Sequence, residues 1–480
     1  MNTAQKIVKN TSLLLIAQVL SFLLAFFYTI KYANYLGAAG FGMISAALAL
    51  AGILTIFTDL GLSALTVREV ARDKTLASKY LGSTTIMKLI FSGITLLATF
   101  LIVQLFIHDQ QSANVIYTIT IALIFNVISG TFSSVFQAYE KMEYQSIATV
   151  LTSILMFAGV YIAIFYNANI MAFAMVYLII NFIILLFNVV VCLLRFAVPK
   201  FELDLEFWKS LVMEAYPLAV ASIFALIAFK VDTIMLAFIS GDVATGLYSA
   251  AYKLLEALMF IPSVYATSIL PVFSKFHVSS KESLQLSYFK SFKYLSMLGI
   301  PIAVGTTLLA NEIILFIYKS GYAQATIILQ ILIWAIPIIF VSYVLGASIT
   351  SINRQHETVR ISFLCMLLNV GLNLLLIPTY GYLGAAVVTV ITELSLFLFY
   401  FHLISKNLCK INLRKILTKP IIASFTMALF IVFVKPFNLH LFIVIIIATI
   451  IYFAVLISLK SFSESDKEIF RQITGKYTNK

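Results

Sequence analysis

Charge is what this chain has least of. Of its 480 residues, 11% are charged and 62% hydrophobic, and the mean hydropathy is +1.03. A soluble domain carries about a quarter charged residues, so a water-facing globule of this composition could not cover its own surface. Glycine (19) and proline (9) are too few for a collagen, a linker or a disordered segment. The three cysteines, Cys192, Cys365 and Cys409, lie far apart, with no CxxC or zinc spacing and no even disulfide framework. They read as small apolar residues in helices. The five histidines are scattered, and no GxxxxGK[ST], HExxH or GxSxG occurs. No metal, cofactor, built-in ATPase or enzymatic active site is expected. What remains is apolar sequence rich in phenylalanine (41) and tyrosine (24), and it belongs in a bilayer. The net charge of +12 is then a topology signal, and no nucleic-acid partner is expected.

Apolar runs long enough to cross the hydrocarbon core fall at 11–33, 43–66, 81–106, 115–137, 146–166, 170–194, 212–238, 244–271, 292–311, 326–350, 359–378, 383–404, 416–434 and 438–459. They are apolar on every face and lack the alternation of barrel strands. The chain therefore reads as an all-α polytopic membrane protein with fourteen spans. The first, after Lys6 and Lys9, is a retained signal anchor, because no cleavage site closes it. With the N-terminus inside, only Lys31, Lys319 and Lys435 fall on the outside. Lys88, Lys230 and Lys253 lie within spans, and every other Lys and Arg lies on the inner side. That asymmetry predicts both termini cytoplasmic. The loops are too short for a nucleotide-binding domain.

An internal repeat organises the spans. At an offset of 204, Gly37 meets Gly241, Gly42 meets Gly246, and Ser45-Ala46-Ala47 meets Ser249-Ala250-Ala251, with Leu14, Ala17 and Thr29 meeting Leu218, Ala221 and Thr233. Farther on, at about 213, Ile164 meets Ile377 and Ala172 meets Ala385. The expected organisation is a six-helix lobe at 1–198, a surface link at 199–210 and a second six-helix lobe at 211–410. Two extra helices at 411–460 and a cytoplasmic tail at 461–480 follow. Six spans per copy make the repeats parallel, an arrangement in which transporters bind substrate between halves and rock them. Pro217, Pro262, Pro271, Pro301 and Pro337, in or at the ends of second-lobe spans, are expected to kink helices for that motion.

Four stretches carry a resemblance: YLGAAGFGMISAA (35–47), FTDLGLSALTVREVAR (57–72), FQAYEKMEY (136–144) and YGYLGAAVVTVITE (380–393). In this order, over roughly 1–410, they resemble the Wzx-like polysaccharide flippases of the multidrug/oligosaccharidyl-lipid/polysaccharide exporter superfamily. The fourteen spans also resemble the peptidoglycan-precursor flippases of that superfamily. The resemblance implies two lobes around a central cavity. It also implies translocation of a polyprenyl-(pyro)phosphate-linked oligosaccharide from the cytoplasmic to the outer leaflet of the cell membrane. Membrane lipids and a coupling cation, H+ or Na+, are the further partners it implies. The physical need agrees, since a glycan's hydroxyls would lose their hydrogen bonds in hydrocarbon.

Charges inside spans are costly and mark function by default. Lys230 and Lys253, each about 13 Å from the outer end of its span, are candidate phosphate ligands. Asp232 and Glu256 would modulate them or bind a coupling cation, and Lys253 and Glu256, at i and i+3, can pair. Lys88 would either snorkel to the inner surface or bind phosphate from the cavity, and Lys31 would either snorkel or join it. Asp59 is expected to clamp the loop 67–80. Glu393, mid-span without an obvious sequence partner, is the candidate protonation site. Asn369 and Asn373 share a face of the eleventh span, as interhelical glue or as glycan contacts.

Three other functions compete. A cation-coupled multidrug antiporter on the same fold would want an acidic cavity, against which the embedded lysines argue. A membrane glycosyltransferase or polymerase would need a large catalytic loop. A static scaffold would leave the embedded charges unexplained.

Overall fold

The computed structural model describes residues 3–437 and 439–462. The expected tail lies outside the described residues from position 463 onward. All regular structure among them is helical. It comprises α1 (Thr3–Asp59), α2 (Leu62–Arg72), α3 (Ala77–Phe106), α4 (Gln110–Ala138), α5 (Met142–Phe165), α6 (Ile170–Arg195), α7 (Leu205–Ser279) and α8 (Lys281–Tyr318). These are followed by α9 (Ala325–Leu332), α10 (Ala335–Ser351), α11 (Gln355–Tyr380), α12 (Tyr382–Asn407), α13 (Leu413–Val434) and α14 (Leu441–Ser458). Among the described residues, 12 helical segments are long and apolar enough to cross a membrane. Large apolar side chains such as Phe165, Leu375 and Phe433 stand exposed on them, as a lipid-facing surface requires. The chain is a multi-pass membrane protein.

The numbering of these helices is not a numbering of passes. α1 has 57 residues and α7 has 75. Straight, they would run about 85 and 110 Å, roughly three times the ~30 Å hydrocarbon core. Neither is straight. Gly37 breaks α1 at φ 69, ψ 179, and Gly241 breaks α7 at φ 82, ψ 178. That region of backbone space is open essentially to glycine alone. The two glycines that the repeat aligns therefore perform the same turn. In α7 the non-helical backbone is at Gly241, not at Pro262 or Pro271, so this break belongs to glycine rather than to the expected prolines. The second expected span also contains a break. α1 ends at Asp59, Leu60 (φ 43) and Gly61 (φ 80) are left-handed, and α2 restarts the helix.

The second aligned pair explains itself by contact. A Cβ on Gly42 would lie 1.9 Å from the carbonyl oxygen of Asp242, and one on Gly246 would lie 1.8 Å from that of Ala38. Ala38 and Asp242 occupy equivalent repeat positions. Each copy's glycine thus receives the other copy's backbone, in a reciprocal contact that no side chain could enter.

The chain forms two compact units. The first comprises Met1–Ala250 with Ser362–Ala385, the second Ala251–Ile361 with Ala386–Lys480. The expected surface link, 199–210, lies inside the first unit and is strapped to the start of α3. The Lys200 N–H donates to the Ser78 carbonyl at 2.9 Å, and the Lys79 ammonium pairs with Asp204 at 3.1 Å. Gly82 makes room, since a Cβ there would meet the Lys200 carbonyl oxygen at 1.8 Å. Asp204 caps α7 by accepting from the Phe207 N–H. That bond, then the Lys79 ammonium, holds its carboxyl below the usual carboxylate range. Tyr80, Leu65, Val70, Leu211 and Ala215 pack beneath this strap. The second unit is built on Phe273, Tyr288, Phe292, Phe340 and Leu345, with α8, α13 and α14 forming a further apolar cluster around Met427 and Tyr452.

The glycine contact is directly testable. Overpacking a fixed core costs about 1–3 kcal/mol, and backbone at this range has little room to retreat. Gly42→Ala should lower the melting temperature of the purified protein by several degrees or prevent its accumulation. Gly52→Ala, on the same helix with nothing within 4 Å, should not. Equal behaviour of the two variants would contradict the close approach.

Candidate functional site

The first unit buries two polar clusters. One is centred on Asp232, whose side chain is 3% exposed. The break at Gly241 lets α7 return on itself, and the Tyr248 hydroxyl donates to Asp232 Oδ2 at 3.0 Å. Across from it, the Asn373 amide donates to Asp232 Oδ1 at 2.6 Å and to Asn369 Oδ1 at 3.0 Å. Asn369 and Asn373 are one helical turn apart on α11 and share a face, so that Asn373 joins Asn369 to the carboxylate. The Asn373 amide oxygen is buried without a hydrogen-bond partner. A carboxylate, two amides and a phenol make an oxygen-rich, water-poor donor set. Its hard oxygens suit a proton or a hard cation better than a thiolate- or imidazole-loving metal. The described residues contain no group of three or more His, Cys, Asp or Glu that could hold a metal ion.

Asn369 and Asn373 are buried, at 1% and 0% exposure, and Asn373 links Asn369 to Asp232.

The other cluster surrounds Lys88, whose side chain is 0% exposed. Its ammonium pairs with Asp59 Oδ1 at 2.7 Å and donates to Ser63 Oγ at 2.8 Å and to the Val127 carbonyl at 3.1 Å. The Ser63 hydroxyl donates to Asp59 in turn. All three ammonium protons have acceptors, which burial of a charge demands. Lys88 therefore neither snorkels nor offers itself to a phosphate, and Asp59 holds Lys88 rather than the loop 67–80. The left-handed pair Leu60–Gly61 is what brings Ser63, in the first turn of α2, round to the cluster. Farther along α2, Arg68 pairs with Glu69 at 2.6 Å and with Glu214 of α7, and Arg72 pairs with Glu69 at 2.9 Å. The stretch 57–72 is thus a buried anchor followed by a charged surface strap.

The remaining candidates lie outside these two clusters. Lys230 is half-buried on α7, its ammonium 4.5 Å from the centroid of the Phe229 ring. Lys31 is exposed, its ammonium 5.9 Å from the Tyr161 ring centroid. In the second unit, Lys253 and Glu256 form the expected pair at 3.1 Å, both partly accessible. Glu393 is half-buried on α12 and interacts electrostatically with Tyr343. Sequence reasoning missed Tyr248 and Ser63. Tyr248 is 16 positions from Asp232 and Ser63 is 25 from Lys88, separations that no helical periodicity relates.

Residues 7–277 match the family model described as polysaccharide biosynthesis protein. The chain belongs to that family. A shorter stretch, 217–375, matches the MatE family. The chain is similar to the capsular polysaccharide biosynthesis protein CapF of Staphylococcus aureus, with 22% identity over 416 residues, 82% of this chain and 98% of that one. A Haloferax volcanii protein whose name describes a low-salt glycan biosynthesis flippase, Agl15, shares 23% identity over 385 residues, 79% of each chain. In fold, the chain resembles the lipid II flippase MurJ in an inward closed conformation. The TM-score is 0.77 at 15% identity, over 97% of this chain and 100% of that one.

The Lys88 cluster generates a prediction. Removing one partner of a buried ion pair costs about 3–5 kcal/mol, and the partial exposure of Asp59 puts Asp59→Asn at the low end. Paired with Lys88→Met, the loss should shrink in the double variant, as a double-mutant cycle of detergent-solubilised protein would read. Additive losses would contradict the pairing.

Proposed function

We propose that this polysaccharide biosynthesis protein is a flippase. Its cargo is a polyprenyl-(pyro)phosphate-linked oligosaccharide, moved from the cytoplasmic to the outer leaflet of the cell membrane to supply a surface polysaccharide. It is a transport protein and not an enzyme. The observation that carries this reading is the family match over 7–277, joined to a flippase-like fold that extends through α13 and α14.

On this reading, α1 with α2 would cross twice, turning at Gly37, and α7 twice, turning at Gly241, so that the 12 apolar segments would make fourteen spans, and the lysine asymmetry would put both termini in the cytoplasm. The lobes are 1–198 and 211–410, joined by 199–210 and followed by the added helices of 411–460. Alternating access would rock one lobe against the other. Lys230 and Lys253 supply positive charge for the phosphate. Asp232, held by Tyr248 and Asn373, is the seat of a coupling cation, H+ or Na+, with Glu393 as a second protonation site. A cation that binds Asp232 more tightly in one state than in the other would supply the differential interaction a coupled transition needs.

The MatE match over 217–375 keeps a second reading alive, a cation-coupled multidrug antiporter. Depleting the protein separates the two. Accumulation of lipid-linked oligosaccharide with loss of surface glycan supports the flippase, whereas unchanged glycan with increased retention of cationic dyes supports the antiporter.

Two further outcomes are expected. Lys230→Ala with Lys253→Ala should abolish flipping while the protein remains in the membrane, and normal flipping by that double variant would remove the phosphate role. Asp232→Asn should slow transport by about tenfold or more and flatten its dependence on pH or Na+. An unchanged ion dependence would remove the coupling role. For the topology, a reporter active only outside the cytoplasm should work when inserted beside Lys435 and fail at the C-terminus.

A further inference from the structure

In the second unit a buried phenol has nothing to bond to. Tyr318, the last residue of α8, is 1% exposed, and its hydroxyl has no hydrogen-bond partner. An unpaired buried hydroxyl is unfavourable, and the large majority of buried polar atoms do find a partner. The backbone beside it is strained as well. Lys319 lies at φ 63, ψ −174, a region open essentially to glycine alone. Its carbonyl accepts from the Tyr322 N–H at 3.3 Å, and the turn sets the Tyr322 ring 5.1 Å from the Tyr318 ring, centroid to centroid. Both rings are buried. A strained backbone persists only where its surroundings over-determine it, and two buried phenols do so here. The Tyr318 hydroxyl is therefore held in place and not left over at a loose helix end.

A carboxylate lies within its electrostatic reach. Glu256 of α7 interacts with Tyr318 in this way, while its Oε2 accepts from the Lys253 ammonium at 3.1 Å. The Lys253 and Glu256 side chains are 26% and 21% exposed, so an anion can approach the ammonium. Its arrival would set a second negative charge beside Glu256. Like charges close together disfavour one another, and a carboxylate drawn off the ammonium needs a new donor. Tyr318 offers a neutral O–H that nothing else uses, and a hydrogen bond to an ionised acceptor is among the stronger ones.

We propose that Tyr318 is a positioning residue for an anion site at Lys253, acting through Glu256. Glu256 pairs with Lys253 until a phosphate or pyrophosphate ester takes the ammonium, and with the Tyr318 hydroxyl afterwards. The phenol keeps its proton throughout and does not touch the anion. It lowers the cost of displacing Glu256, and so raises the affinity of a site it takes no direct part in. The inference rests on the reading of Lys253 as a phosphate ligand and adds how that ligand is released from its own ion pair.

The test uses the full chain, purified in detergent, and reads melting temperature without ligand and then affinity for farnesyl pyrophosphate as the probe anion. Without the probe, Tyr318→Phe removes a hydroxyl that bonds to nothing, so the melting temperature should hold or rise. In a Lys253→Met protein Glu256 should already sit on Tyr318, and the same Tyr318→Phe change should lower the melting temperature. A phenol of purely structural use would shift both backgrounds alike, and equal shifts overturn the proposal. With the probe, loss of a hydrogen bond to a charged group corresponds to about tenfold in affinity. Tyr318→Phe should therefore weaken binding about tenfold, and should change nothing in a Glu256→Gln protein, whose amide carries no charge that needs a new donor. Equal weakening with and without Glu256→Gln overturns the proposal too. A reversed sign in the melting temperatures, joined to equal probe binding by the wild-type and Lys253→Met proteins, would keep the exchange of partners and overturn the phosphate reading of Lys253, so the two can fail separately.

Discussion

A polar group taken into hydrocarbon has no water to fall back on, so every partner it needs must come from the protein itself. This constraint shapes the interior of the chain. Lys88 is tolerable because a carboxylate, a hydroxyl and a backbone carbonyl converge on its three protons. Asp232 is tolerable because a phenol and an amide donate to its two oxygens. Both arrangements depend on a helix that stops and restarts. The Leu60–Gly61 turn brings in Ser63, and the Gly241 break brings in Tyr248. Backbone irregularity in a membrane protein is tolerated where neighbouring protein groups satisfy it, and here the same irregularities position the charges.

The two clusters differ in what they leave available. The ammonium of Lys88 is fully paired, and an ion pair of this kind fixes helix packing and little else. Around Asp232 the Asn373 amide, which donates to the carboxylate, keeps a buried oxygen without a hydrogen-bond partner.

Much of the architecture was legible in the sequence. Apolar run length is set by bilayer thickness, so an all-helical chain of many membrane-length apolar segments could be read directly. The glycine matches at 37/241 and 42/246 proved physical, because positive φ and backbone contact both select glycine. The polar interior was harder to read. Lys253 and Glu256 could be paired because helical periodicity alone places them. The partners Asp59–Lys88 and Asp232–Asn373 join different helices, and no periodicity relates them. The asparagines at 369 and 373 were correctly seen to share a face, yet what that face meets depends on tertiary packing. The pairing of Lys435 with Glu312 could not be read for the same reason, since 123 positions separate the two residues.

The central claim is that the chain moves a lipid-linked glycan across a bilayer. The most direct measurement is reconstitution of the purified protein into liposomes carrying a polyprenyl-pyrophosphate-linked oligosaccharide with a fluorescent sugar, quenched from outside by an impermeant reagent. The account predicts that the protected fraction exchanges between leaflets on addition of the protein, and that an ordinary phospholipid with the same fluorophore does not. Exchange of both lipids alike, or of neither while cationic dyes cross in response to an ion gradient, would contradict it.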